Sequence, residues 1–184
     1  MNALWSYFWP AFGIGLVFGI LAGSLAFRVT IVRVRERANE PTLIARPRRK
    51  RIALLSLGLV AALAGAALWH GPFGGADRFS VKVLKDARVT LVNNDAPSGM
   101  DVQIHHGPLT RELILSGAGD DFQRGEAVRL LRRIPGVSDA VWARSAGVPL
   151  IVEGMAVALL GFLLGLLLAY LVELRRRYNA QWNW

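Results

Sequence analysis

Three stretches of the 184-residue chain contain no Lys, Arg, Asp or Glu: Met1–Phe27, Ile52–Ala76 and Gly154–Val172, of 27, 25 and 19 residues. A helix needs about 20 apolar residues to cross a hydrocarbon core of roughly 30 Å. Each run is therefore long enough to span a bilayer once. The expected helices lie near Phe8–Phe27, Ile52–Trp69 and Pro149–Val172. Aromatic residues stand where interfacial belts would stand: Trp5, Tyr7 and Trp9 on the first, Trp69 on the second, Trp142 before the third, and Tyr170 and Tyr178 after it. The first run does not read as a cleaved signal. No basic residue precedes it, it is long for a signal core, and no small-x-small site closes it.

The positions of the basic residues set the orientation. Between Arg28 and Arg51 there are nine Arg or Lys against Glu36 and Glu40, and the tail carries Arg175, Arg176 and Arg177 against Glu173. The segment His70–Pro149 holds ten basic and nine acidic residues, a net of only +1 of the chain's total of +9. The positive-inside rule puts the short loop and the C-terminus in the cytoplasm, and the N-terminus and the long segment outside it. The expected layout is thus 1–27 with the first span, 28–51 a basic cytoplasmic loop, 52–69 the second span, 70–148 a periplasmic domain, 149–172 the third span and 173–184 a cytoplasmic tail. Within the loop, Arg46, Arg48, Arg49, Lys50 and Arg51 orient the neighbouring span. They also form a cluster that can hold anionic headgroups, at about 1 kcal/mol per charge.

Composition narrows the function. With 53% apolar and 19% charged residues, the chain is neither a disordered tail nor a nucleic-acid-binding arm. It has no cysteine, which removes disulfides, thiolate nucleophiles and cysteine-ligated metals.

The external segment reads as α-β-β-α-β. Phe79, Val83, Ala87 and Leu91 recur at four-residue spacing and predict a helix from Asp77 to about Asn93. Asp101–His106 alternates and reads as a strand. Leu109–Ser116 is a second, joined to the first by a short His106-Gly107-Pro108 link. Asp120 or Asp121 caps a helix running to about Ile134, with Ala127, Val128, Leu131 and Ile134 on its apolar face. Val137–Trp142 is a last short strand. Gly117 and Gly136 are expected at turns with positive φ.

The stretch from Leu109 to Trp142 resembles the core of a BON domain, a small bacterial envelope module. Leu115-Ser116-Gly117 matches its strand-ending turn, Asp121–Arg133 its basic helix, and Gly136-Val137 with Val141 its following G-V-x-x-V. The resemblance covers about a third of the chain. The whole layout is also similar to small multi-span inner-membrane proteins of Gram-negative bacteria. The resemblance implies envelope attachment, lipid contact or protein interaction, and no catalytic residues.

Several residues invite a specific role. Gly15, Gly19 and Gly23 form a ladder on one face of the first span; Gly58 and Ala62 do so on the second, and Gly161 and Gly165 on the third. Such faces let helix backbones approach closely, against an internal helix, a second copy or another membrane protein. Glu153 is the one carboxylate within an expected span, where the helix N-terminus or the interface can hold it. Arg111 lies on a strand face between Leu109 and Leu113, placed for an edge ion pair or for gripping an anionic group. Arg129, Arg132 and Arg133 share a helix face, with Arg124 set aside from it.

Catalysis finds little support. His105 and His106 are adjacent on a strand and point to opposite faces, and Asp120-Asp121 serve more simply as helix caps. No cofactor or metal site is expected. The favoured reading is a non-enzymatic inner-membrane protein: three transmembrane helices plus a small α+β domain of BON-like order. It acts as an accessory or scaffold subunit, with lipids and a membrane protein or second copy as partners and no nucleic acid. Trp182 and Trp184 would lie at the cytoplasmic interface. The alternative is a phospholipid- or envelope-binding module that uses Arg111, Arg124, Arg129, Arg132 and Arg133.

Overall fold

The computed structural model describes residues 2–36, 45–142 and 147–181. In chain order it contains α1 (Ala3–Glu36), α2 (Ala45–His70), α3 (Gly75–Asn93), β1 (Asp101–His106), β2 (Leu109–Ser116), α4 (Asp121–Leu131), β3 (Asp139–Val141) and α5 (Leu150–Gln181). Three helical stretches are long and apolar enough to cross a membrane: Ala3–Arg28, Arg48–His70 and Leu150–Ala180. The helices run well past the charge-free segments. Absence of charge marks what a bilayer tolerates, whereas Arg, Lys and Glu continue a helix about as well as Leu does. The chain divides into two compact units, Met1–Trp9 with Trp69–Gly154, and Pro10–Leu68 with Met155–Trp184.

The first unit is built on a three-stranded sheet in the order β1-β2-β3. β1 and β2 are antiparallel, with Val102 opposite Leu115 and Ile104 opposite Leu113. β3 runs parallel to β2, with Ala140 beside Leu113. These five residues are buried together with Phe79, Val83, Ala87 and Leu91 of α3, and with Ala127 and Leu131 of α4. α3 begins two residues earlier than its apolar spacing suggests. α4 ends at Leu131, and single-turn bonds from Arg133 N to Leu130 O (3.2 Å) and Ile134 N to Leu131 O (3.1 Å) still carry Ile134 into the core. Asp120 caps α4: its Oδ1 accepts from Gln123 N at 2.7 Å while Gln123 Oε1 accepts from Asp120 N at 3.1 Å. Gly117 has φ 116°, and a Cβ there would fall on the Gly99 carbonyl oxygen.

This unit is not confined to the segment 70–148. Ala3, Tyr7 and Leu150 are fully or almost fully buried in the same core. The first turns of α1 and the start of α5 are therefore structural members of the α/β fold.

The second unit is a three-helix assembly held at small residues. A Cβ added to Gly15 would strike the Ala158 carbonyl oxygen, and one on Gly19 the Phe162 carbonyl oxygen. In return, Gly161 faces the Phe12 carbonyl and Gly165 the Leu16 carbonyl. Gly23 packs on Ala169 and Gly58 on Ala22, while Ala62 is fully buried with Ala22 and Phe162. Leu57 and Val60 of α2, and Leu160, Leu163 and Leu167 of α5, are exposed. Gly19→Val should therefore lower the unfolding temperature of the detergent-solubilised chain by driving α1 from α5. Gly13→Ala, with nothing within 4 Å of the new methyl, should leave it unchanged.

Candidate functional site

The arginines that sequence reasoning assigned to ligands are mostly engaged within the α/β unit itself. Arg111 lies on β2 between the buried Thr110 and Glu112. Its Nε lies 2.7 Å from Glu153 Oε2 in the first turn of α5, with the two side chains 25% and 23% exposed. The Nε hydrogen does not line up with an acceptor, so the contact is charge pairing rather than a hydrogen bond. Arg132 Nε donates to Asp139 Oδ1 at 2.6 Å. That bond, aided by the Ala140 N–H at 2.7 Å, holds the Asp139 carboxyl below its ordinary range. Arg129 Nε donates to both Glu126 oxygens, at 2.9 and 3.0 Å, and holds that carboxyl low as well. The Arg124 guanidinium lies over the Trp142 ring, 5.2 Å from its centroid. Arg133 is exposed and has no carboxylate within ion-pair distance among the described residues.

The expected interfacial tryptophans divide in two. Trp5 and Trp9 are exposed and stacked, with ring centroids 5.6 Å apart. Trp69 is drawn into the unit, where its Nε1 donates to Tyr7 O at 3.0 Å and Arg78 lies over its ring. Trp142 packs against the core beneath Arg124. Trp182 and Trp184 lie outside the described residues. In the basic cluster, Arg48, Arg49 and Lys50 are exposed and Arg51 covers the Phe27 ring at 4.8 Å; Arg46 is on the same helix.

One polar group was not singled out by sequence reasoning. Tyr7, 1% exposed, places its hydroxyl 2.7 Å from His70 Nδ1 and 3.4 Å from the Leu150 carbonyl oxygen. Gly154 stands against that hydroxyl, where a Cβ would come within 2.7 Å. The cluster joins the first turns of α1, the end of α2 and the start of α5, and it satisfies a phenol that would otherwise be buried without a partner. Among the described residues, no three His, Asp or Glu side chains converge as a metal site.

The exposed apolar surface of the unit lies elsewhere. Phe122, at the start of α4, is 79% exposed. It borders a shallow groove of about 140 Å³ whose lining includes Leu91, Ala96, Pro97, Ala127 and Leu130. On α3, Val81, Val89 and Val92 are exposed along the outer face.

Two outcomes follow from the ion pairs. Replacing either partner of the Arg111–Glu153 pair should cost about 1–3 kcal/mol, between the exposed and buried limits, and a double-mutant cycle should show coupling of that sign. For Asp139, whose ordinary value is 3.8, the folded-state value is lower. Its contribution is complete above the unfolded-chain value and is lost as pH falls through the folded one. Asp139→Asn should therefore flatten the fall in stability below about pH 4, followed by tryptophan fluorescence. No protein-family model matches the chain, and neither the curated proteins nor the solved structures compared with it give a match.

Proposed function

We infer that the chain is a non-enzymatic protein of the bacterial inner membrane, with three helices crossing the bilayer and the α/β unit displayed on the periplasmic side. Its role in this reading is that of an accessory or scaffold subunit, with the α/β unit as a BON-like interaction module. The length and apolarity of the three helices support membrane insertion, and the basic residues around Arg28–Arg51 and Arg175–Arg177 support the orientation. The α-β-β-α-β order, with Gly117 and Gly136 at its turns, supports the BON-like reading.

One observation carries the choice of a protein partner over a lipid headgroup. Three arginines of the α/β unit, Arg111, Arg129 and Arg132, are already paired with Glu153, Glu126 and Asp139, while Phe122, Val81 and Val92 are left exposed. A phosphate would have to displace an existing carboxylate from each paired arginine. An apolar partner surface meets no such competition. Lipid contact is better served by Arg48, Arg49 and Lys50, exposed at the start of α2.

The test is purification of the full chain in mild detergent, with native sizing and mass spectrometry of what accompanies it. A stoichiometric membrane protein is expected, and its retention should fall several-fold with Phe122→Ser while the helix content is kept. A chain that carries only lipid, or whose partner ignores Phe122→Ser, would contradict the reading.

A further inference from the structure

β1 is an edge strand. β2 occupies one side of it, and among the described residues no main chain bonds to the other. Val102 and Ile104 are 0% and 3% exposed, main chain included, whereas Asp101 and Gln103 are exposed and His105 is half-buried. In an antiparallel ladder each residue sends its N–H and C=O together, either toward the neighbouring strand or away from it. The buried alternates thus face β2, and Asp101, Gln103 and His105 present their amides and carbonyls to the open edge. The strand is also straight enough to pair. Ile104 is opposite Leu113 and His106 opposite Leu109, so the irregularity is taken up by the extra residues of β2. No Lys or Pro guards the edge.

We propose that this edge joins the same edge of a second copy of the chain, antiparallel, about a twofold axis at Gln103. A twofold pairing that sets outward-facing residues opposite one another can be centred on any residue of 101–105, and only centring on Gln103 pairs all three of Asp101, Gln103 and His105. Centring on Asp101 sets two like carboxylates face to face, and centring on His105 leaves Asp101 without an opposite strand. Centring on Gln103 uses all three residues. Asp101 then lies opposite His105 of the second copy on both sides of the axis, Gln103 opposite Gln103, and the β-branched Val102 opposite Ile104. Three hydrogen-bonded pairs supply about six main-chain bonds and turn two three-stranded sheets into one of six. The pairing goes beyond the role proposed above. It needs only the fold of the α/β unit, and stands whether or not the long helices lie in a bilayer.

The chain has no cysteine, so a single one is a clean probe. Hydrogen-bonded antiparallel pairs hold their Cα atoms about 5.5 Å apart, inside the disulfide range. In the full chain, Gln103→Cys should cross-link to a dimer under mild oxidation, and Lys85→Cys, exposed on α3, should not. Gln103→Pro removes an N–H that faces outward, which an edge strand tolerates. It should weaken dimerisation about thirtyfold, the effect of two lost main-chain bonds, while keeping the circular dichroism of the parent. A monomeric parent would overturn the proposal, as would a dimer indifferent to Gln103→Pro. Absence of the Gln103→Cys cross-link, or a cross-link to another protein in its place, would do the same. Should Pro at 103 unfold the unit, the cysteine result decides alone.

Discussion

The core of the α/β unit is closed by side chains from helices that otherwise read as membrane spans. A sheet of three strands, with one helix of 19 residues and another of 11 on it, leaves part of its apolar face unfilled. Ala3, Tyr7 and Leu150 complete it, and the buried Tyr7 hydroxyl finds partners at His70 and the Leu150 carbonyl. The unit therefore draws on chain segments on either side of the expected domain. A fragment cut at 70–148 would lack the groups that fill the core, and with them the pairing of Arg111 to Glu153. In so small a fold, losing a few large buried side chains removes stability comparable to the whole.

The other unit follows a different logic. With the three long helices in a bilayer, as proposed, association would bring no hydrophobic gain, and contact would have to come from dispersion at close range. Glycines supply that range here: carbonyl oxygens of α5 stand where side chains of Gly15 and Gly19 would begin, and carbonyls of α1 stand likewise at Gly161 and Gly165. The small-residue faces are therefore occupied by the chain's own helices. What they leave outward, at Leu57, Val60, Leu160, Leu163 and Leu167, is large and apolar. Lateral partners would meet that surface rather than the glycine ladders.

Legibility tracked the range of the interactions. β1 and β2 were readable to the residue, because the alternation within β1, the Gly-Pro link between the strands and Gly117 after β2 mark their ends locally. The buried stripe of α3 was readable from its four-residue spacing, and the turn glycines from the punctuation around them. The ends of α1, α2 and α5 were not, since charge exclusion reports the limits of an apolar solvent and not those of a helix. Least readable were the pairs far apart in the chain. Arg111 reads as an edge ion-pair partner or a grip for an anion, and Glu153 as a carboxylate held by a helix N-terminus or the interface; nothing local says that the one answers the other. Tyr7 gave no signal at all beyond its place among interfacial aromatics, and Trp69 beside it was read as a belt residue when its indole is spent on the Tyr7 carbonyl.

The pairing of arginines bears on function more than their number does. A helix with Arg124, Arg129, Arg132 and Arg133 looks, as a string, like an anionic-ligand surface. Folded, Arg129 and Arg132 have carboxylates within hydrogen-bonding reach, and the carboxylates are held ionised by them. An ion pair of this kind is screened and worth little to stability, but it does set a competitor: an incoming phosphate gains only the difference between itself and the resident carboxylate. Main-chain groups at an open strand edge face only water as a competitor, and exposed Phe122 faces none. On the reading proposed above, selectivity in this unit would rest on its exposed apolar side chains and its open strand edge rather than on its paired charges.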